Sequence, residues 1–359
     1  MRHFDVDFRD KNGERYQLSK RIAELTEALM ANYFVYDTEV LEGVWFRDGK
    51  FTYEQREEGT WLPFDTEHDT WGYADCYAWM KHSFTVPTRF AGRPVYYQIL
   101  PQEGKKWAWG SPQALLYANG EALQGFDSNH TRTRLLDCAQ GGEHYEMLLN
   151  LYAGGRDYEG KIGTRLRLLS VDDEVEKLYW HLRTPLEVAN LKEPDELARI
   201  HLLQTLNEAV SLVSFHLPYG EDFLESVREA TAYLEKELYG KREMEATVSA
   251  VGHTHIDVAW KWPLRQTREK AVRSFSTVLY LMKRYPEYRF FLSQPQLYEY
   301  VKEEAPEVFE QVKERVKEGR WEADGAMWLE SDSNLTSGES LIRQILYGKK
   351  FFNEEFGIK

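Results

Sequence analysis

Hydrophobic positions change their period three times along this chain of 359 residues. Leu18, Ile22, Leu25 and Leu29 recur at helical spacing and predict an amphipathic helix near the start. From about residue 42 to 186 the pattern shortens to strands. Val44-Trp45-Phe46 and Phe51-Thr52-Tyr53 flank Asp48-Gly49, and Leu115-Leu116-Tyr117-Ala118 and Glu121-Ala122-Leu123 flank Asn119-Gly120, a dipeptide suited to a two-residue hairpin. His144 to Tyr152 and Thr164 to Leu169 continue the series, with Gly154-Gly155 as a break between them. Many short strands separated by turns predict an antiparallel, jelly-roll-like all-β sandwich. Pro194 opens a helical regime, with Ile200, Leu203, Leu206, Val210 and Val213 on one arm and Phe223, Leu224, Val227, Ala230, Leu234 and Leu238 on the other.

From Ala246 onward, strands and helices alternate. The run Ala246 to Val251 reads as a buried strand, and Ala271, Val272, Phe275, Val278, Leu279 and Met282 as a helix face. Phe290-Phe291-Leu292 is a second strand, Val301 to Val316 a second helix ended by Gly319, and Arg320-Trp321 the start of a third strand. Thr336-Ser337-Gly338-Glu339 fits a capping box ahead of Leu341, Ile342 and Ile345. Such alternation implies a parallel sheet with ligands at the carboxyl ends of its strands. The expected organisation is multidomain: a helical segment at 1–41, the sandwich at 42–190, a helical hairpin linker at 191–243 and the alternating region at 244–359.

Composition narrows the function. Lys plus Arg number 45 against 59 Asp plus Glu, a net charge of −14, which disfavours nucleic acid and anionic membrane surfaces as partners. No apolar run approaches the roughly 20 residues needed to span a bilayer. Two cysteines, Cys76 and Cys138, are too few for a disulfide framework, and Met1-Arg2-His3-Phe4-Asp5 has no apolar signal core, so the cytoplasm is the expected compartment.

The densest chemistry lies in His253-Thr254-His255-Ile256-Asp257-Val258-Ala259-Trp260. Alternation along an extended segment would place His253, His255 and Asp257 on one side, where imidazole and carboxylate together suit zinc or a similar ion. Two histidines bonded to backbone at a strand end are the plainer explanation. It weakens because the motif ends in an acid and leads into Trp260, Trp262 and a helix. A second segment, Trp328-Leu329-Glu330-Ser331-Asp332-Ser333-Asn334, also follows a strand. Taken alone, Asp332 is more often an Asx-turn residue and Glu330 a solvated one. Gln294 and Gln296, just after the second strand, are placed to line the same pocket.

Together, Gly252-His253-Thr254-His255-Ile256-Asp257-Val258-Ala259-Trp260-Lys261-Trp262-Pro263, Trp328-Leu329-Glu330-Ser331-Asp332 and Ser337-Gly338-Glu339-Ser340-Leu341 resemble the α-mannosidases of glycoside hydrolase family 38, in their cytosolic and microbial branch. Leu115 to His130 also resembles the sandwich that precedes the catalytic barrel there. The resemblance implies a metal-dependent retaining α-mannosidase acting on terminal α-mannosyl linkages of oligosaccharides, with residues 244–359 forming the first part of a (β/α) barrel. It implies zinc, with cobalt the alternative, held by His255, Asp257 and Asp332; Asp332 as catalytic nucleophile; and Trp260 as a substrate-binding wall. His253 takes a supporting role.

All ten histidines occur by position 255. A fourth metal ligand and the acid/base carboxylate are therefore expected beyond residue 359, as would be any homo-oligomer contact, and a fragment of this extent is expected to be inactive alone. Two other classes compete. One is a metal-dependent polysaccharide deacetylase-like hydrolase; the other is a carbohydrate-binding module using Trp107, Trp109 and Tyr117. Asp65-Thr66-Glu67-His68-Asp69 reads as a solvated loop. Asn129-His130-Thr131 and Asn334-Leu335-Thr336 match the glycosylation pattern without a secretion signal to give it meaning. Lys241-Arg242 is too short for a basic patch.

Overall fold

A computed structural model describes residues 13–107, 111–155, 161–193, 196–217, 219–240 and 247–358, with side chains from Leu18 onward. Met1 to Asp5, Trp109, Pro194, Lys241-Arg242 and Ala246 lie outside the described residues. Helix α1 (Gly13–Ala28) comes first. Strands follow: β1 (Val35–Val40), β2 (Val44–Asp48), β3 (Leu62–Phe64), β4 (Thr70–Trp71), β5 (Tyr77–Thr85) and β6 (Val95–Leu100). The series continues with β7 (Gln113–Ala118), β8 (Glu121–Phe126), β9 (Arg132–Leu136), β10 (His144–Tyr152), β11 (Ile162–Gly163) and β12 (Arg165–Val171).

These strands form a four-stranded sheet in the order β1-β12-β6-β9, a six-stranded sheet in the order β3-β2-β5-β10-β7-β8, and a small β11-β4 pair, all antiparallel. The two larger sheets face each other across one core, where Ala78, Met80, Leu116, Leu149 and Leu151 meet Val95, Tyr97, Ile99, Leu166 and Leu168. Successive side chains on a strand point to opposite faces, so the intervening residues must be covered from outside. Tyr96, Leu169 and Val171 lie under the helices, while Trp79, Leu115 and Tyr117 join the core of the C-terminal region. The central strands of both sheets are thus buried on both faces over much of their length.

The Asn119-Gly120 hairpin forms as expected, with positive φ at both turn residues (49° and 87°) and Ala118 opposite Glu121. The Asp48-Gly49 hairpin does not form. Phe51-Thr52-Tyr53 is no strand, and β2 pairs with Leu62–Phe64 instead. Arg47 supplies the reason. Its guanidinium is buried against the rings of Phe51 and Trp61, and Nη1 donates to the carbonyls of Gln55 and Glu58, so the segment coils round it.

Strand structure ends at Val171, well before residue 186. Helix α2 (Asp173–Asn190) replaces it, capped by Asp172, whose Oδ1 accepts from the amides of Glu174 and Val175. Val175, Leu178, Leu182, Leu186 and Ala189 form its buried stripe. Together α1, α2, α3 (Leu197–Leu212) and α4 (Glu221–Glu237) share one core and roof the four-stranded sheet, so the hairpin is half of a helical layer.

The C-terminal region alternates as expected: β13 (Gly252–His253), α5 (Leu264–Arg284), β14 (Phe290–Phe291), α6 (Pro295–Glu304), α7 (Pro306–Lys317), β15 (Trp321–Glu322) and α8 (Gly338–Phe356). The three strands are parallel, in the order β13-β14-β15. Three expectations need correction. Thr247 to Val251 is not a buried strand; these residues are exposed and irregular, Val248 being 80% accessible, because no described element covers them. The second helix is two, since Pro306 lacks the amide to continue α6 and instead opens α7. The cap of α8 is Ser337, whose Oγ accepts from Ser340 N at 3.2 Å, one residue later than the capping box would have it.

One polar pair spans the sandwich core. His82 on β5 meets the Tyr97 hydroxyl on β6 at 2.9 Å, and burial pushes its pKa from the usual 6.5 down to about 3. The unfolded chain takes up this proton as pH falls through 6.5, whereas the folded chain resists it until about 3. His82 therefore contributes stability that is present above pH 6.5 and lost as pH falls through that window, by up to about 1.4 kcal/mol per pH unit. His82→Gln should flatten the difference in urea midpoint between pH 7.5 and pH 5; an unchanged difference would rule this residue out as the source.

Candidate active site

Helix α5 anchors the region that carries the chemistry. At Gly125 on β8 an added Cβ would lie 3.2 Å from Arg273 Cβ, and the Gly125 amide donates to Thr277 Oγ1 at 3.0 Å. Glycine here lets the helix backbone approach the sheet edge. The first turn of α5 is tied down as well: Asp75 accepts from the Tyr152 hydroxyl at 2.6 Å and pairs with Arg265 at 2.9 Å. Inside, Phe275 packs on Trp321 and Tyr298, joining α5 to β15 and α6.

Each parallel strand is two residues long, so side chains, not ladder bonds, position the loops beyond them. Thr267, fully buried on α5, receives the Ala259 amide at 3.0 Å and Trp262 Nε1 at 3.2 Å, and its hydroxyl lies 3.3 Å from the Asp257 carbonyl. This holds the turn in which Ala259 has a φ of 59°, unusual for a residue with a Cβ. Gln294 joins the two site loops. Its Nε2 donates to the Ile256 carbonyl at 3.2 Å, and its Oε1 accepts the Glu330 amide at 3.4 Å. Gln296 pairs with Trp328 twice, through Trp328 Nε1 at 2.8 Å and through its own amide at 3.0 Å. Both glutamines act as struts.

Among the expected site residues, His255 and Asp257 come together, with Nε2 3.3 Å from Asp257 Oδ1. The other ring nitrogen, Nδ1, lies 3.3 Å from Glu330 Oε2. His253 turns elsewhere and stacks on Phe291 at 6.0 Å, because the extended backbone on which the alternation rested ends at His253. Asp332 is not in contact with that group: its Oδ1 accepts the amides of Asn334 at 2.8 Å and Leu335 at 3.2 Å in an Asx turn. Trp260 stands 67% exposed, edge-on to Trp262.

The donor types at His255 and Asp257 suit zinc, and a carboxylate on the far ring nitrogen is the usual partner of a metal-bound histidine. Among the described residues no group of three His, Cys, Asp or Glu side chains is arranged to hold a metal. Glu330 was read as solvated; its contact with His255 is a tertiary matter that spacing does not reveal.

Residues 245–359 match the family model described as the glycosyl hydrolases family 38 N-terminal domain. The chain belongs to glycoside hydrolase family 38. It is similar to α-mannosidase G of Dictyostelium discoideum, 31% identical over 302 residues, covering 78% of this chain and 26% of that protein. Human α-mannosidase 2C1 is 30% identical over 309 residues, covering 80% and 28%. The α-mannosidase of Saccharomyces cerevisiae is 39% identical over 139 residues, covering 38% and 13%. This family 38 chain thus spans about a quarter of the length of the first two relatives. Its match with them extends well beyond the stretch that carries the paired motifs.

The carbohydrate-module reading loses Tyr117, which is buried between Tyr53 and Trp79. Trp107 is partly covered, donating to the Gly163 carbonyl at 3.0 Å. Trp109 lies outside the described residues.

Gln294→Met leaves the Ile256 carbonyl and the Glu330 amide without their buried partner, which should cost about 1–3 kcal/mol. Denaturant titration checks the loss, and amide hydrogen exchange should show Glu330 N–H opening faster than the α5 amides. Wild-type protection at Glu330 in the variant would remove Gln294 from this role.

Proposed function

We propose that this chain is part of a metal-dependent retaining α-mannosidase acting on terminal α-mannosyl linkages of oligosaccharides. The observation that carries the reading is the His255–Asp257 pair, 3.3 Å apart just beyond a parallel strand and inside the family-matched segment. The names of the related proteins support the substrate class. A first part of a (β/α) barrel is the architecture that three parallel strands with intervening helices support, and a jelly-roll-like plan suits the sandwich. We place the activity in the cytoplasm, a reducing compartment that suits the free thiols of Cys76 and Cys138.

His255 and Asp257 would hold the metal, zinc in preference to cobalt, with Asp332 as a third ligand and Glu330 fixing the tautomer of the imidazole. Bound there, such an ion supplies Lewis-acid stabilisation of charge and a fixed seat for adjacent sugar hydroxyls. Asp332 is the nucleophile. Its carboxylate attacks the anomeric carbon as the glycosidic C–O bond breaks, and the departing oxygen takes a proton from a second carboxyl group. The resulting ester on Asp332 is cleaved by water, which the same second carboxyl deprotonates, so configuration is retained. The Asx turn engages Oδ1 in two amide bonds and gives the loop a defined shape. Trp260, exposed beside the pair, offers an apolar wall for a sugar face.

The test is kinetics of the full-length enzyme on an aryl α-mannoside. Asp332→Asn should lower kcat by about a thousandfold or more, as losing a nucleophile does. Chelation should abolish wild-type turnover, and added zinc restore it. Near-normal turnover by Asp332→Asn would overturn the nucleophile assignment; turnover that survives complete metal removal would overturn the metal.

A further inference from the structure

Opposite the acids that face His255, the chain builds a lining of the other sign. A cleft of about 500 Å³ separates the β8 edge and the loop after it from one face of α5, with His255 at one end. Asp257, Trp260, Glu330 and Asp332 take no part in its walls. Lys270 and Arg273, one turn apart on α5, present two cations to it. Arg273 is held by the close approach at Gly125 and by donation from Nη2 to Gln113 Oε1 at 2.5 Å. The Lys270 ammonium sits 4.5 Å from the Trp262 ring centroid. Among the described residues no carboxylate lies within ion-pair distance of either cation. The acid in the cleft wall, Asp127, is engaged locally, its Oδ1 meeting His130 Nδ1 at 3.0 Å and accepting the amides of Asn129 and His130.

Two neighbouring, desolvated cations with no described carboxylate paired to either, and only the more distant charges of Asp127 and Glu269 to offset them, are costly in a chain of net charge −14, where acids are plentiful elsewhere. Burial and the neighbouring Arg273 charge push Lys270 down to about 8, and burial lowers Arg273. A bound anion would relieve both. A guanidinium and an ammonium converging from one helix face suit tetrahedral oxygens carrying two negative charges. The volume falls within the ordinary range for small-molecule sites, roughly 300–1,000 Å³.

We propose that this cleft binds a phosphate group, free or carried on a monosaccharide, through Lys270 and Arg273. The site stands independently of the mannosidase reading, because it uses neither the acids nor a metal. Isothermal titration calorimetry on the metal-stripped, dialysed chain at pH 7 tests it, with inorganic phosphate in one arm and glucose 6-phosphate in the other. Saturable binding is expected, weakened about tenfold or more by Lys270→Gln and by Arg273→Gln. Lys270→Arg should retain it, and thermal melting shows that each variant is folded. Tighter binding of the sugar phosphate would identify a phosphorylated sugar as the source, and equal binding free phosphate. No saturable heat with either probe, binding unchanged in folded Lys270→Gln and Arg273→Gln, or binding present only when metal is restored would overturn the proposal.

Discussion

The side-chain amide of Gln294 holds the candidate site together. Its two ends satisfy a carbonyl in one loop and an amide in another, from a position where water does not reach. Because β13, β14 and β15 contribute only two residues each, ladder bonding ends before the functional loops begin. An amide that donates and accepts at once can bridge them, which no aliphatic side chain of that size could do. The approach of Glu330 to His255, and the distance of Asp332 from both, are set by this bridge and by the turn that Thr267 closes.

The sandwich contributes rigidity to that arrangement. Its six-stranded sheet sends Met80 and Leu116 into one core and Trp79, Leu115 and Tyr117 into the other, so the sheet is a wall shared by two hydrophobic interiors. Helix α5 leans on this wall at Gly125 through its middle turns while carrying Thr267 in its first turn. Any tilt of the helix would move the turn that follows Asp257. The sandwich thus acts on the site through packing, and among the described residues the side chains paired with His255 are Asp257 and Glu330, neither of them from the sandwich.

Much of the fold was legible because local and tertiary demands agree. Asn119 and Gly120 tolerate positive φ, and the hairpin closes on them whatever surrounds it. The helix stripes and the alternation after residue 250 reflect burial that periodicity records directly. The failures share a cause. Asp48-Gly49 looked like a hairpin until Arg47, drawing on the Gln55 and Glu58 carbonyls and two aromatic faces, wound the next segment round itself. Thr247 to Val251 is apolar enough for a buried strand, yet an apolar run becomes one only when something covers it.

The sequence by itself determined which residue types are available for chemistry and where they lie along the chain: an imidazole and a carboxylate two positions apart, a second acid in a later loop, and a tryptophan between them. These are properties of local composition, which folding does not alter. Tertiary structure alone decided that Glu330 meets the histidine while Asp332 stays out of contact with it, that Gln294 is a strut, and that Lys270 and Arg273 share a cleft in which no described carboxylate pairs with them. Such relations depend on distances between segments tens to hundreds of residues apart. Those distances follow from how whole layers pack, and no local pattern encodes them.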